Sequence, residues 1–312
     1  MTASTLRIVT RESPLALWQA HHVRDRLAAL HPQLTVAVTG ISTEADRFQN
    51  RTLLSMGGKG AFIKELEQAL LDGRADLAVH SMKDVTIDLP EALVLPVILG
   101  RKEPGDAFVA NGCASLDALP QGAVIGTSSL RRRCQIRYAR PDLEVADIRG
   151  NVGTRLKKLD AGQYDALILA VAGLQRLGLE QRMTARLAPE TLLPAIGQGA
   201  LGIETRRGDA DVLALLAPLD DADTHVCISA ERAVSRRLNG GCLAPVAGHA
   251  VLRDGQLQIT ALVGRPDGSE LIRESLSGAP GDAEELGEEL GGRLLARGAD
   301  RILADVMGHG PS

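Results

Sequence analysis

Charged and hydroxyl side chains recur in this sequence directly after short apolar segments that are typical of β-strands. In open parallel sheets, ligands bind beyond the carboxyl ends of the strands, where helix N-termini present free N–H groups to anions. Side chains at five such predicted strand ends could therefore meet in a binding site. They are Arg11 and Ser13; Ser81, Lys83 and Asp84; Thr127, Ser128, Ser129, Arg131, Arg132 and Arg133; Arg149, Asn151, Thr154 and Arg155; and Arg176.

Arginine at these ends indicates the charge of the ligand, because a guanidinium group binds carboxylate or phosphate in a bidentate way. Residues 131–158 carry nine Arg and Lys against three acidic residues, although the whole chain has a formal net charge of -4. We therefore predict a ligand with several negative groups; the simpler alternative is a solvated basic helix face. Consecutive helical residues point in different directions, so at most two of Arg131, Arg132 and Arg133 should share a target, with Arg133 facing solvent.

Two further residues could carry the chemistry itself. Asp84 has cationic neighbours and could stabilise a cation or move a proton, although a salt bridge to Lys83 or a helix cap is the structural alternative. Cys242 follows Gly240 and Gly241, which allow the backbone to present a thiol closely. It is the one cysteine that we consider as a nucleophile or an attachment point. We expect the others to be inert: Cys113, Cys134 and Cys227.

The elements that must position these residues are strands that alternate with helices over the first two thirds of the chain. This order predicts parallel α/β sheets. Ser13 is expected to cap the first helix, with Pro14 at its first position. Residues 5–99 and 105–199 follow a similar order, which we interpret as a weak internal repeat.

From about residue 220 strands follow one another, and Asp254-Gly255 is a hairpin turn signal. The predicted fold class is α/β, with two similar doubly wound, periplasmic-binding-protein-like domains and a smaller α+β C-terminal domain. The predicted boundaries are 1–99 with a return segment at about 200–217, then 100–199, and then 218–312 with the Cys242 loop.

Composition excludes several classes of protein. Aromatic residues make up 2% of the chain, too few for binding by serial base stacking, and a dedicated nucleic-acid binder would be strongly basic. No apolar run approaches the roughly 20 residues that cross a bilayer, so no membrane association is expected. The N-terminus lacks the apolar core of a signal peptide, so export is not expected. The four cysteines are widely spaced, which argues against a disulfide scaffold. The histidines and cysteines show no metal-ligand spacing, so no metal is expected. We predict a cytoplasmic protein.

Six segments resemble the porphobilinogen deaminase family, also called hydroxymethylbilane synthases, and together they cover nearly the whole chain. They are VHSMKDV (79–85), GTSSLRRRCQ (126–135), IRGNVGTRLKKLD (148–160), LAVAGLQRLGL (169–179), PAIGQGALGIE (194–204) and NGGCLAPV (239–246). The resemblance implies a transferase that joins four porphobilinogen units head to tail, releases ammonia each time, and frees the linear tetrapyrrole hydroxymethylbilane with water.

The same resemblance implies a dipyrromethane cofactor on a thioether to Cys242, and Asp84 as the catalytic residue. The other cofactor-binding residues would be Lys83, Ser81, Thr127, Ser129, Arg131, Arg132, Asn151 and Arg155. The substrate-binding residues would be Arg11, Ser13, Gln19, Lys59, Phe62, Arg149, Arg176 and Gln198. The enzyme would be a monomer whose product is used by uroporphyrinogen-III synthase. The chain departs from the family pattern at Glu12, Ala45 and Thr86.

Two alternatives belong to other classes. A two-lobed solute-binding protein would show the same sheet pattern and anion-binding junctions, since fold does not fix function. It would need neither Asp84 nor a modified Cys242. Nucleic-acid binding through residues 131–158 is the other alternative, and it would weaken steeply with salt.

Overall fold

The computed structural model describes residues 5–42, 63–239 and 244–308. The chain divides into two compact units. Unit one contains Met1–Lys102 and Ala200–His225, and unit two contains Glu103–Gly199 and Val226–Ser312.

Among the described residues, strands and helices alternate over much of the first two thirds of the chain, as predicted, although four strands follow one another between residues 77 and 126 and two between residues 185 and 206. In chain order they are β1 (Thr5–Arg11), α1 (Pro14–Leu30), β2 (Thr35–Ile41), α2 (Lys64–Leu71), β3 (Leu77–Ser81), β4 (Leu93–Leu99), β5 (Asp106–Ala110), β6 (Val124–Gly126), α3 (Leu130–Ala139), β7 (Glu144–Ala146), α4 (Val152–Asp160), β8 (Ala166–Ala170), α5 (Val171–Arg176), β9 (Ala185–Leu187), β10 (Leu201–Arg206), α6 (Ala210–Leu216), α7 (Ala222–Arg237), β11 (Val246–Arg253), β12 (Gln256–Gly264), β13 (Leu271–Gly278), α8 (Ala283–Ala296) and α9 (Ala299–Gly308).

Unit one contains a five-stranded sheet in the order β2-β1-β3-β10-β4. Successive side chains of a strand point to opposite faces. Ile8 of β1 accordingly packs in the core of α1, and the adjacent Val9 packs in the core of α2. A helix therefore covers each face of the sheet, which is the doubly wound arrangement predicted.

One feature of this sheet corrects the prediction that it is purely parallel. Strand β10 lies antiparallel between β3 and β4. A buried strand has the same apolar pattern in either direction, and its direction depends on where the preceding chain enters the sheet. Strand β10 and helix α6, at 210–216, both belong to unit one.

Unit two repeats the same topology with its own strands, in the order β7-β6-β8-β5-β9. In each sheet the first three strands are parallel and the fourth is antiparallel to both of its neighbours. Ile136 of α3 packs on one face, while Leu156 of α4 packs on the other. The internal repeat is therefore present in the topology, and this second sheet is also mixed rather than parallel.

Unit two also contains an antiparallel sheet in the order β11-β12-β13. Helices α7, α8 and α9 contribute to its apolar core. Asp254 and Gly255 have φ angles of 51° and 75°, the left-handed values of the predicted hairpin turn. A separate apolar cluster joins Cys134 and Leu193 to Ala247 and Leu262 of this sheet. The domain boundaries predicted above stay a prediction.

A second correction concerns Arg176, which the sequence pattern predicts directly after a strand. The strand ends at Ala170, and helix α5 begins at Val171. Arg176 therefore lies at the end of a helix and not directly after a strand. Among the helices of the described ranges, none combines the length and the apolar character that a membrane crossing requires.

Candidate active site

A pocket in unit one lies at the carboxyl ends of β1 and β3. Its lining includes five residues that the sequence predicted for the site: Arg11, Ser13, Gln19, Ser81 and Asp84. Strand β3 ends at Ser81, and a single 3-10 turn over Met82–Asp84 follows it. The two strand ends thus bring together residues that are up to 73 positions apart in the sequence.

Local hydrogen bonds hold the polar side chains of this pocket. Ser13 caps α1 as predicted, since its Oγ accepts a hydrogen bond from the Ala16 N–H at 3.3 Å. The buried Gln19 donates from Nε2 to Ser81 Oγ at 2.8 Å. Helix α1 is thereby joined to the end of β3.

The carboxylate of Asp84 differs from its neighbours in the pocket. No described residue hydrogen-bonds to it or forms an ion pair with it, so the structural alternative of a salt bridge to Lys83 is not observed. A half-buried carboxylate in a pocket is suited to pair with a positive charge or with N–H donors of a ligand.

Beneath this pocket lies a buried hydrogen bond between His80 and Glu204 that the sequence reasoning missed. His80, which also lines the pocket, has its Nε2 2.9 Å from Glu204 Oε2. The second oxygen of Glu204 is buried and has no partner among the described residues. Burial and the charge of Glu204 together raise the pKa of the nearby Glu67. A charged residue within the buried strand LGIETR was the available signal.

In unit two, the predicted cationic residues converge on a carboxylate. Asp106 is fully buried at the start of β5. Arg131 donates from Nη1 to Asp106 Oδ2 at 2.7 Å, and Arg132 donates from Nη2 to Asp106 Oδ1 at 2.6 Å. By formal charge the three side chains carry one net positive charge. The sequence reasoning missed Asp106, which stands in an otherwise apolar strand pattern.

Electrostatics in this cluster follow from its burial. Burial alone would raise the pKa of Asp106, but the charges of Arg131 and Arg132 hold it well below its usual range. Burial, together with the charge of Arg132, lowers the pKa of Arg131. The Nε atoms of both arginines are buried and have no hydrogen-bond partner among the described residues.

The third consecutive arginine behaves as predicted. Arg133 turns away from Asp106 and pairs with the exposed Asp147 at 2.6 Å. The first turn of α3 is fixed by Ser129, whose Oγ accepts from the Arg132 N–H at 3.4 Å. Thr127 Oγ1 in turn accepts from the Ser129 N–H at 3.2 Å.

The turn before α4 carries a second group of predicted residues. Asn151 caps α4 by accepting from the Thr154 N–H at 2.9 Å. Gly150 has a φ of 107°, and a Cβ there would lie 2.7 Å from a side-chain carbon of Thr154, so only glycine fits. Arg155 donates from Nε to the Gly150 carbonyl at 2.8 Å. Arg155 therefore supports the turn that carries Arg149.

Arg176 and Gln198 contact the backbone of unit two. Arg176 donates from Nη2 to the Gly199 carbonyl at 2.8 Å, and burial lowers its pKa to about 10. Gln198 donates from Nε2 to the Pro104 carbonyl at 2.6 Å and to Asp106 Oδ1 at 3.0 Å. Asp106 therefore accepts hydrogen bonds from three predicted site residues: Arg131, Arg132 and Gln198.

Some predictions fall on residues outside the described ranges: Lys59, Phe62 and Cys242. Of the other cysteines, Cys134 is buried in an apolar cluster, and burial raises its pKa to about 12, which is the inert behaviour predicted. Cys113 and Cys227 are likewise not part of a disulfide among the described residues. Within the described ranges, no group of three or more His, Cys, Asp or Glu side chains could hold a metal ion.

Unit one has a pocket lined by a carboxylate residue, and unit two has a buried surplus of positive charge. Both are features of an α/β protein that binds a polyanionic ligand. Residues 6–214 match the family model described as "Porphobilinogen deaminase, dipyromethane cofactor binding domain", and residues 225–296 match "Porphobilinogen deaminase, C-terminal domain". The chain belongs to the porphobilinogen deaminase family. Family membership indicates a transferase with hydroxymethylbilane synthase function in tetrapyrrole biosynthesis, and porphobilinogen is the substrate.

Solved structures resemble the chain more distantly. The periplasmic aliphatic sulphonate binding protein SsuA of Escherichia coli is 16% identical, with a TM-score of 0.42, and the match covers 75% of this chain and 70% of that one. A periplasmic binding protein of Salmonella typhimurium with high arginine specificity is 13% identical, with a TM-score of 0.39 and coverage of 70% and 92%. Likeness at this level carries no argument about function.

The residues present in unit two fit a dipyrromethane with carboxylate arms. Arg131 and Arg132 together carry more positive charge than Asp106 neutralises. Their buried Nε donors have no described partner. Both observations are expected of a site that receives an anionic group.

Proposed function

We propose that this protein joins four porphobilinogen molecules head to tail and releases one ammonia at each step. It then frees the linear tetrapyrrole as hydroxymethylbilane by hydrolysis. The observation that carries the proposal is the position of Asp84, whose carboxylate lines the unit-one pocket and has no ion-pair or hydrogen-bond partner among the described residues. The family match supplies the substrate to which that carboxylate is assigned.

Asp84 is assigned the catalytic role. When the protonated aminomethyl group of the substrate loses ammonia, the electron pair of the broken C–N bond leaves with the nitrogen, and a cationic methylene-pyrrolenine remains. The Asp84 carboxylate stabilises this cation and accepts hydrogen bonds from pyrrole N–H groups. A pyrrole carbon then forms the new C–C bond and loses its proton.

The cationic residues are assigned to the acidic arms, because each pyrrole ring of the substrate carries two carboxylates. We assign to the cofactor arms Lys83, Arg131, Arg132 and Arg155, with polar support from Ser81, Thr127, Ser129 and Asn151. We assign to the substrate and the growing chain Arg11, Ser13, Gln19, Lys59, Phe62, Arg149, Arg176 and Gln198. Buried guanidinium groups favour this use, since the geometry of their donors matches a carboxylate.

We assign the thioether attachment of dipyrromethane to Cys242. When bound, the cofactor supplies the pyrrole end to which the first substrate unit is joined. A thiol that forms such a bond must approach its ligand closely, and Gly240 and Gly241 precede Cys242 in the sequence. The buried Cys134, with its raised pKa, is unsuited to the same reaction.

We further propose that the enzyme is a hydroxymethylbilane synthase of the cytoplasm that acts as a monomer. Cys113, Cys134 and Cys227 are not joined in disulfides among the described residues, which favours a reducing compartment. Uroporphyrinogen-III synthase is the partner to which we assign use of the product. We propose neither nucleic acid nor a membrane as a partner.

The experiment is incubation of the purified protein with porphobilinogen, with ammonia and oxidised uroporphyrin measured together. We expect four ammonia molecules for each tetrapyrrole. Substrate binding without ammonia release would indicate a solute-binding protein instead. Binding of DNA at low salt that is lost steeply as salt rises would favour the nucleic-acid alternative.

A further inference from the structure

Helix geometry alone would separate Arg131 from Arg132. Adjacent residues of an α-helix point about 100° apart around the axis, so two consecutive side chains do not share a target by default. Here both guanidinium groups reach Asp106, one at each oxygen, at 2.7 Å and 2.6 Å. Asp106 thus converts two diverging side chains into one paired group.

Other contacts restrict the same cluster. Arg131 Nη1 also donates to the Leu193 carbonyl at 2.8 Å, and Arg132 Nη1 donates to the Ile168 carbonyl at 2.9 Å. Gln198 reaches Asp106 from a third segment at 3.0 Å. Asp106 is therefore the common acceptor of three side chains from two separate parts of the chain.

Charge argues that this arrangement serves more than folding. A buried ion pair contributes little net stability, because desolvation offsets its attraction. One arginine would neutralise Asp106, so a second buried arginine adds an uncompensated charge to a side-chain environment that is at most 8% exposed. Such a surplus is costly unless an anion binds to it.

We propose that Asp106 is a positioning residue that holds Arg131 and Arg132 in the orientation in which they receive a carboxylate arm. This inference rests on the proposed function. We assign to Asp106 no direct contact with substrate or cofactor. It acts through the arginines. Because their side chains are already ordered before the ligand arrives, binding does not incur the entropy cost of ordering two long side chains.

The test compares Asp106→Asn with Asp147→Asn, which removes the partner of the adjacent Arg133. Three quantities are measured: the unfolding midpoint, the fraction of folded protein that carries a pyrrole adduct by intact mass, and the rise of the midpoint with porphobilinogen. We expect Asp106→Asn to fold and to carry an adduct fraction at least about tenfold lower than that of the native protein, because the loss of a charged hydrogen bond costs about 1.5 kcal/mol or more. Porphobilinogen should also raise its unfolding midpoint by less. Asp147→Asn should match the native protein. A folded Asp106→Asn with a native adduct fraction and rise would overturn the proposal.

A second variant decides the question if Asp106→Asn does not fold. Asp106→Asn combined with Arg132→Gln keeps the net charge of the cluster at one positive, as in the native chain. We expect this double variant to carry less adduct than Arg132→Gln alone, because Arg131 has lost its anchor. An adduct fraction in the double variant equal to or above that of Arg132→Gln would overturn the positioning role, because the double variant carries the greater positive charge. If the native protein carries no adduct and is not stabilised by porphobilinogen, the proposed function fails. The role of Asp106 is then tested with a probe dicarboxylate, glutarate, by the rise that it causes in the unfolding midpoint of the native protein and of Asp106→Asn. Equal rises in the two proteins would overturn the role of Asp106.

Discussion

The imidazole of His80 lies 2.9 Å from the carboxylate of Glu204, and both side chains are almost wholly buried. The contact joins β3 to β10, the antiparallel strand next to it. His80 also lines the pocket that contains Asp84. The candidate site of unit one is therefore supported by a buried hydrogen bond whose partners come from distant parts of the sequence.

Glu204→Gln should lower the pKa of Glu67 towards its ordinary value. Burial is the largest cause of the raised pKa of Glu67, and the Glu204 charge is the next. The substitution removes the second cause and keeps the first, so the shift should become smaller without vanishing. An NMR titration of the Glu67 carboxyl group measures it, with the exposed Glu91→Gln as the control. An unchanged Glu67 pKa in Glu204→Gln would contradict the cluster as described.

Asp106 should make stability depend on pH. Its folded pKa lies below its usual range, whereas in the unfolded chain it is about 3.9. Its stabilising contribution is therefore present above the unfolded value and is lost as pH falls. The difference in unfolding free energy between the native protein and Asp106→Asn should shrink from about pH 5 to about pH 3. Urea unfolding at several pH values tests this, and a difference that stays constant would be inconsistent with an ionised, paired Asp106.

Asp84→Asn should lose turnover while it keeps the cofactor. The amide retains the shape of the side chain but cannot stabilise a developing cation, so we expect a rate loss of about 100-fold or more. Ammonia release measures the rate, and intact mass measures the adduct. The matched control is Asp88→Asn, an exposed aspartate four residues further on. Ammonia release at the native rate from Asp84→Asn would refute the assigned role.

Arg149→Ala should stall elongation and trap shorter chains on the protein. Arg149 precedes the glycine turn that Arg155 supports, so the substitution removes a cation and leaves the turn contacts to Gly150 in place. Mass spectrometry of the protein after a limited pulse of porphobilinogen counts the pyrrole units bound. Arg186→Ala, an exposed arginine of the same unit, is the control. Tetrapyrrole formation at the native rate in Arg149→Ala would show that the assignment is wrong.

The sequence predicted those features whose cause is local. Ser13 caps the helix that begins directly after it, and Asp254-Gly255 forms its turn, because each signal acts within a few residues. The alternation of strands and helices likewise predicted both doubly wound sheets.

Features that depend on distant partners were not accessible in the same way. Asp106 and Gln198 are 92 residues apart, and His80 and Glu204 are 124 apart. A single buried acid in a strand does not reveal which cation it faces. Strand direction was missed for the same reason, since β5 and β10 have the apolar pattern of parallel strands.

The mass of the purified protein and of its Cys242 peptide tests whether this chain holds dipyrromethane covalently. We predict an adduct of two pyrrole units on that peptide and none on the buried Cys134 peptide, in protein that converts porphobilinogen to tetrapyrrole. An unmodified Cys242 thiol in freshly purified, active protein would contradict the account.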